Sequence, residues 1–220
     1  MINRDAYFLA GISALIVGVT IALVVASFAM WGDPGTSPLA EEVVRQAADQ
    51  LKETMARAHA NDAEAEYLLS QRYSRGDGVA MNHKEAIVWL KRAAIHDYAP
   101  AQLDYGLTLR RGEGVIQDWK ESVKWIQRAA ESGYAPAQKE LGIIYMKGFG
   151  VPENNSRAYL WLVIAAASGI EGASFLRDAL MTKLSPGEIE KIQAEAHAYT
   201  DARIVQSTKP TSGVSPEDTK

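Results

Sequence analysis

Histidines and acidic residues are the side chains in this sequence with the most potential for chemistry. The four histidines are His59, His83, His96 and His197. None lies at ligand spacing from another, and no HExxH motif is present to hold a zinc ion. Acidic pairs such as Glu41/Glu42 and Glu64/Glu66 are typical of solvated helix faces. The chain has no cysteine, which excludes disulfides and thiolate metal sites.

Three glycine pairs form the other motif with chemical potential, because glycine-rich loops hold phosphates in many enzymes. Gly76-x-Gly78, Gly112-x-Gly114 and Gly148-x-Gly150 each join two helical patterns and follow no strand, so they do not match a phosphate loop. The net charge of −4, from 23 basic and 27 acidic residues, argues against a nucleic-acid surface. We therefore predict a protein that is not an enzyme and binds no cofactor or metal ion.

The glycine pairs belong to a repeat that organises the chain. Residues 98–102 (YAPAQ) return as 134–138, and 112–115 (GEGV) return as 148–151 (GFGV), 36 residues on in both cases. The tryptophans Trp89, Trp125 and Trp161 follow the same period. A fixed period of this length is typical of a solenoid built from stacked helical hairpins.

Each repeat contains two helical patterns. In the third repeat Ala137, Leu141 and Tyr145 share one face of a first helix, and Gly148 ends it. In the second repeat Asp118 and Glu121 have the spacing of a capping box that begins the second helix.

Two further positions recur in the first helices. Their last residues are Arg75, Arg111 and Lys147. A cation there faces the negative end of the helix dipole, so we interpret the three as structural. Gly106 and Gly142 lie inside first helices and predict a close helix approach, opposite the alanine pairs 129–130 and 165–166.

These positions resemble the Sel1-like repeat family of tetratricopeptide-type helical solenoids. The matching residues of the third repeat are Ala137, Leu141, Gly142, Tyr145, Gly148, Gly150, Val151, Trp161, Ala165 and Ala166. The earlier repeats depart from the pattern at Ser70, Asp97 and Leu109. The resemblance implies an all-α fold: a right-handed α-solenoid of three helix-turn-helix repeats at about 63–98, 99–134 and 135–170, with helical caps at 39–60 and 171–205. It also implies a protein-binding scaffold.

The N-terminal segment predicts a single transmembrane signal anchor at 6–31, after a cytoplasmic N-terminus at 1–5. The segment carries no charged side chain and exceeds the roughly 20 apolar residues that span a bilayer. The alternative is a cleaved signal peptide with its cleavage site near Ser27-Phe28-Ala29, although its apolar region would be unusually long. Arg4 precedes the segment and acidic residues follow it, which favours repeats outside the cytoplasm. In a bacterium this places the repeats in the periplasm, on the inner membrane.

Small residues recur every four positions along that segment, at Ala14, Gly18, Ala22 and Ala26. Such a face allows close packing of membrane helices, either with a partner's helix or in a homodimer. The alternative is that small residues are simply common in membrane helices.

The segments around the repeats have simpler patterns. Residues 32–38 form a linker rich in proline and glycine, and an amphipathic helix at 39–60 follows. We predict that this helix caps the first repeat; a coiled coil is the alternative. A helix beginning at the capping box Ser185-Pro186-Gly187-Glu188 leads to a polar tail at 206–220 that we expect to be disordered.

A binding groove is predicted on the first helices, on the side opposite their core positions. The proposed partner-binding residues are Leu103, Leu107, Arg110, Ile143 and Met146. Four of these positions hold aliphatic side chains, whereas a solvated helix face would carry charged ones. Exposed apolar surface of this kind usually marks a binding site. The alternative is that these residues pack against a neighbouring helix or the terminal cap.

The sequence thus predicts a membrane-anchored scaffold or adaptor that binds another envelope protein through its helical-repeat groove. An accessory subunit of an inner-membrane complex, docked through the transmembrane helix, is the alternative. Hydrolase activity is ascribed to some relatives, but no residue here supports it.

Overall fold

The structure is a computed structural model that describes residues 38–208 and the side chains of 42–203. The predicted anchor at 6–31, with Ala14, Gly18, Ala22 and Ala26, lies outside the described residues, as does the C-terminal segment 209–220. Within 38–208, no helix combines the length and the apolar character that crossing a bilayer requires.

The described chain is an all-α repeat solenoid of nine helices without strands, which confirms the all-α solenoid that the sequence predicts. The helices are α1 (Pro38–His59), α2 (Ala63–Arg75), α3 (His83–Ile95), α4 (Ala99–Arg111), α5 (Trp119–Glu131), α6 (Ala135–Lys147), α7 (Asn155–Ala167), α8 (Ala173–Met181) and α9 (Pro186–Thr208). The pairs α2/α3, α4/α5 and α6/α7 form the hairpins of the three repeats.

The chain divides into two compact units, 1–53 and 54–220. In the first unit the described residues are the N-terminal part of α1, where Val43 and Val44 are exposed. The second unit contains the end of α1 and helices α2 to α9. The predicted capping role of 39–60 stays a prediction.

Polar caps and glycine ends define the hairpins. Asn82, Asp118 and Asn154 each accept backbone N–H bonds at the start of a second helix. In the second repeat only one of the two capping-box hydrogen bonds is present: the Asp118 carboxylate accepts from the Glu121 N–H. The Glu121 carboxylate accepts from Lys124 instead of from the Asp118 backbone N–H. Gly112 has φ 69°, a left-handed conformation that glycine adopts without steric penalty.

The mid-helix glycines allow the close approach that the sequence predicts, but against different residues. A Cβ on Gly142 would lie 2.7 Å from Leu162 Cγ, and one on Gly106 would lie 2.6 Å from Ile126 Cγ1. The contacts therefore fall about one helical turn before the predicted alanine pairs. Three of these four alanines, Ala129, Ala130 and Ala165, are fully buried and belong to the core.

The end of α1 follows the same geometry as the ends of the second helices. Asn61 has φ 65°, and the residues 36 and 72 positions on, Asp97 and Gly133, have φ 61° and 89°. Ala58 is fully buried, like Ala94 one period later. The last turn of α1 therefore has the register of a second helix, a continuation of the period that the sequence alone did not reveal.

Two clusters of buried side chains hold the array together. One joins the first two repeats and includes Leu90 and Tyr105. The other runs from the second repeat through the third to α8 and α9, and Ile126, Leu141 and Leu162 within it have no exposed surface. Each repeat thus buries its apolar face against its neighbours, as a solenoid requires.

The C-terminal helices complete the second unit. α8 continues the period, with Ala173 buried like Ala137, and α9 begins at the predicted capping box, where Ser185 and Glu188 bond reciprocally. α9 packs on α7, and its Tyr199 hydroxyl donates to the Glu131 carbonyl at the end of α5. It continues to Thr208, past the residue 206 at which the predicted tail begins.

Candidate protein-binding face

The structure distributes the five predicted groove residues between core and surface. Leu103 is 7% exposed and belongs to the larger core cluster, so we leave it out of the proposed surface. Its burial fits the alternative reading, packing against the neighbouring helix. Leu107, Arg110, Ile143 and Met146 are half-buried on α4 and α6. We call these four residues the first-helix face.

Beside this face, Asp104 and Glu140 occupy equivalent positions of the second and third repeats, and each accepts a hydrogen bond from the preceding repeat. The Tyr67 hydroxyl donates to Asp104 Oδ2 at 2.7 Å, from the first repeat to the second. Arg110 Nη1 donates to Glu140 Oε2 at 3.2 Å, from the second to the third. Burial, and then the hydrogen bond to Asp104, raises the pKa of Tyr67, which keeps this phenol a neutral donor at physiological pH.

A cavity of about 350 Å³ lies between α2 and α4. Its lining residues are Tyr67, Ser70, Gln71, Ser74, Arg75, Leu90, Asp104, Leu107, Thr108 and Arg111. We call it the inter-repeat cavity. It adjoins the first-helix face, because Leu107 belongs to both. Polar and apolar groups converge here, as they do in binding sites for peptide side chains.

Sequence reasoning missed the arginines of this cavity. Arg75 and Arg111 were interpreted only as partners of the helix dipole. The signal for a shared site was their separation of one repeat period, which places them side by side on consecutive first helices.

The interpretation of Glu64 and Glu66 as part of a solvated helix face is wrong for Glu66, whose carboxylate is buried. Glu66 is fully buried, with His96 Nδ1 2.7 Å from its Oε2 and Arg92 Nη2 3.0 Å from its Oε1. The same position in the later repeats holds Gln102 and Gln138, whose side-chain amides donate to backbone carbonyls of the preceding second helix. A fully buried carboxylate offers no surface to a substrate, so we interpret this cluster as structural.

The remaining histidines lie apart from one another. His59 packs edge-on against Trp89, with ring centroids 5.2 Å apart. His83 begins α3 and His197 lies on α9, both exposed. Among the residues that the structure describes, no group of three or more His, Cys, Asp or Glu has the arrangement of a metal site.

A small aromatic surface lies at the glycine turns. Trp119 and Phe149 from consecutive repeats contact each other, with ring centroids 5.2 Å apart, and each is 37% exposed. Isolated exposed apolar residues are common on protein surfaces, so this pair alone does not indicate a binding site.

Comparisons with known proteins agree with the repeat boundaries. The family described as Sel1 repeat matches residues 63–98, 99–134 and 135–170. Among solved structures, a Sel1 repeat protein from Oxalobacter formigenes is 38% identical, with a TM-score of 0.58, over 59% of this chain and 98% of that one. A protective antigen of uropathogenic Escherichia coli strains that displays an SLR fold is 23% identical, with a TM-score of 0.49, over 87% of this chain and 48% of that one. A search of curated protein sequences gave no significant match.

Proposed function

Because this chain belongs to the Sel1 repeat family, whose members act as scaffolds in protein–protein interactions, we propose that it is a membrane-anchored scaffold that binds another envelope protein. The repeats of this family are typically non-catalytic interaction modules, which agrees with the lack of any catalytic motif in the sequence.

The observation that carries this proposal is the first-helix face. Leu107, Ile143 and Met146 keep part of their apolar surface exposed on consecutive first helices, and Arg110 lies among them, paired with Glu140. Partly exposed aliphatic side chains beside a charged pair are the composition expected where a partner's apolar side chains dock.

The test of the proposed face is site-specific photo-crosslinking in native membranes. A photo-reactive amino acid at position 107 or 143 is expected to capture a partner protein. Position 88 is the matched control, because Val88 is also an exposed aliphatic residue, at 52%, but lies on a second helix. Equal capture from 88 and from both test positions would contradict the proposal.

The alternative function, an accessory subunit docked through its membrane helix, is favoured by the small residues of the N-terminal segment. Replacing Gly18 and Ala22 with leucine separates the two functions. For a scaffold, Leu107→Glu with Ile143→Glu abolishes co-purification of the captured partner, and the two leucine changes do not. If the two leucine changes abolish co-purification and the two glutamate changes do not, the accessory subunit is favoured. If neither pair of changes affects co-purification, both functions are rejected.

The proposed location is a bacterial inner membrane, with an anchor at 6–31 and the repeats in the periplasm. Its support is the long uncharged apolar segment and the basic residue before it. Protease added to cells stripped of their outer membrane is expected to degrade the repeat region. If the repeat region becomes protease-sensitive only after detergent lysis, the repeats lie on the cytoplasmic side of the inner membrane.

A further inference from the structure

We propose that the inter-repeat cavity binds the carboxylate of an acidic side chain, held between Arg75 and Arg111, in the peptide that the first-helix face binds. The inference rests on the proposed function, because it specifies the chemistry of the segment that this face would take from a partner protein.

The two arginines provide charge that the described residues leave largely unneutralised. Both are exposed, and both line the one cavity. Among the described residues, the Arg75 side chain, at the end of α2, has no ion-pair or hydrogen-bond partner. Arg111 lies 3.6 Å from Glu113, but the two side chains are 55% and 61% exposed, and such pairs contribute little. Two guanidinium groups are therefore available to an anion.

The one carboxylate in the cavity already has a partner. Asp104 lines the cavity and accepts the hydrogen bond from the Tyr67 hydroxyl at 2.7 Å. The charged residues of the lining are thus two arginines, Arg75 and Arg111, and one aspartate, Asp104, whose carboxylate is already hydrogen-bonded. The exposed Ser74 hydroxyl adds a further donor. This excess of positive charge and donors favours a carboxylate, with which arginine forms strong, charge-assisted hydrogen bonds.

The apolar part of the lining favours a side chain as the source of the carboxylate. Leu90 and Leu107 line the cavity and suit the methylene groups of a glutamate. Beyond the cavity the first-helix face continues onto α6, with Ile143 and Met146 partly exposed. Because the apolar lining suits side-chain methylene groups, we assign the carboxylate to a side chain of the peptide and not to its C-terminus.

The test uses the full chain in lipid nanodiscs and fluorescence anisotropy, with empty nanodiscs as background. The probe is a fluorescein-labelled, C-terminally amidated peptide of alternating Glu and Leu, and its matched peptide carries Gln for every Glu. The wild-type protein is expected to bind the Glu peptide about tenfold more tightly than the Gln peptide, because the carboxylate forms charge-assisted hydrogen bonds with two guanidinium groups. Arg75→Ala with Arg111→Ala is expected to remove that preference and leave Gln-peptide binding unchanged.

Lys147→Ala is the matched control variant. Lys147 is also the last residue of a first helix, exposed and one period after Arg111, but it does not line the cavity. The control is expected to keep the preference for the Glu peptide. Because the Glu and Gln peptides are compared on the wild-type protein, the result does not depend on a variant folding.

Several outcomes would overturn the inference. They are no Glu-peptide binding up to about 1 mM, equal binding of the two peptides, or an equal loss of preference in Lys147→Ala. A Gln peptide with a free C-terminus that binds as tightly as the Glu peptide would overturn the assignment to a side chain. Failure of the proposed function is distinct, since it appears as absent crosslinks at 107 and 143 whichever peptide binds.

Discussion

Leu141→Ala is expected to lower the free energy of unfolding by about 2–5 kcal/mol, since it removes a fully buried side chain and leaves a cavity. That loss is a large part of the roughly 5–15 kcal/mol that stabilises a typical domain. Leu141 lies in the core cluster that joins the second and third repeats. Thermal unfolding of the full chain, followed by circular dichroism, should therefore show a clearly lower midpoint.

Hydrogen exchange should localise the effect of this change. Because each repeat contacts its neighbours, protection is expected to fall most in α5, α6 and α7, and least in α2 and α3. Val88→Ala is the control, since Val88 is 52% exposed and its truncation should change stability by about 0.5 kcal/mol or less. Similar shifts for Leu141→Ala and Val88→Ala would contradict the interior position of Leu141.

Glu66→Ala is expected to destabilise the first repeat by about 2 kcal/mol, because His96 and Arg92 lose their shared, fully buried partner. Both partners keep about a third of their side-chain surface exposed, so water compensates in part for the lost contacts. Urea unfolding of the full chain measures the effect. Glu64→Ala is the control, because the Glu64 side chain is 59% exposed and its ion pair with Arg57 should contribute little.

Glu66→Gln tests the comparison between repeats. Gln102 and Gln138 occupy the same position, are buried, and donate to the carbonyls of Ala94 and Ala130. A glutamine at 66 keeps its carbonyl oxygen as an acceptor for Arg92, and its amide N–H can donate to His96 Nδ1 when that nitrogen carries no proton. Burying a neutral amide also costs less than burying a carboxylate. We therefore expect a change below about 1 kcal/mol. A loss as large as that of Glu66→Ala would show that the negative charge itself is required.

The hairpins were predictable because their signals are local. A polar cap such as Asp118 satisfies backbone N–H groups within one turn, and a glycine such as Gly112 adopts the left-handed φ that ends a helix. The 36-residue period then aligned equivalent positions of the repeats without any knowledge of their packing. The all-α solenoid and the core position of Leu141 followed from these patterns.

Positions that depend on how far one helix slides against the next were not predictable. Gly142 approaches Leu162 about one turn from the predicted alanine pair, because side-chain volumes across the interface set the offset of the two helices. Leu103 shares the aliphatic character of Leu107, yet it is buried and Leu107 is partly exposed. Composition alone does not distinguish these two cases.

By itself the sequence determined the repeat, its helices, the family resemblance and the expectation of binding over catalysis, because each depends on residue types at fixed spacing along the chain. Only the tertiary structure decided which side chains of the first helices reach the surface and that Arg75 and Arg111 share one cavity. It also revealed that the buried Glu66 contacts the partly exposed Arg92 and His96. These arrangements depend on contacts between residues 26 or more positions apart, which are set when the helices pack within and between the hairpins.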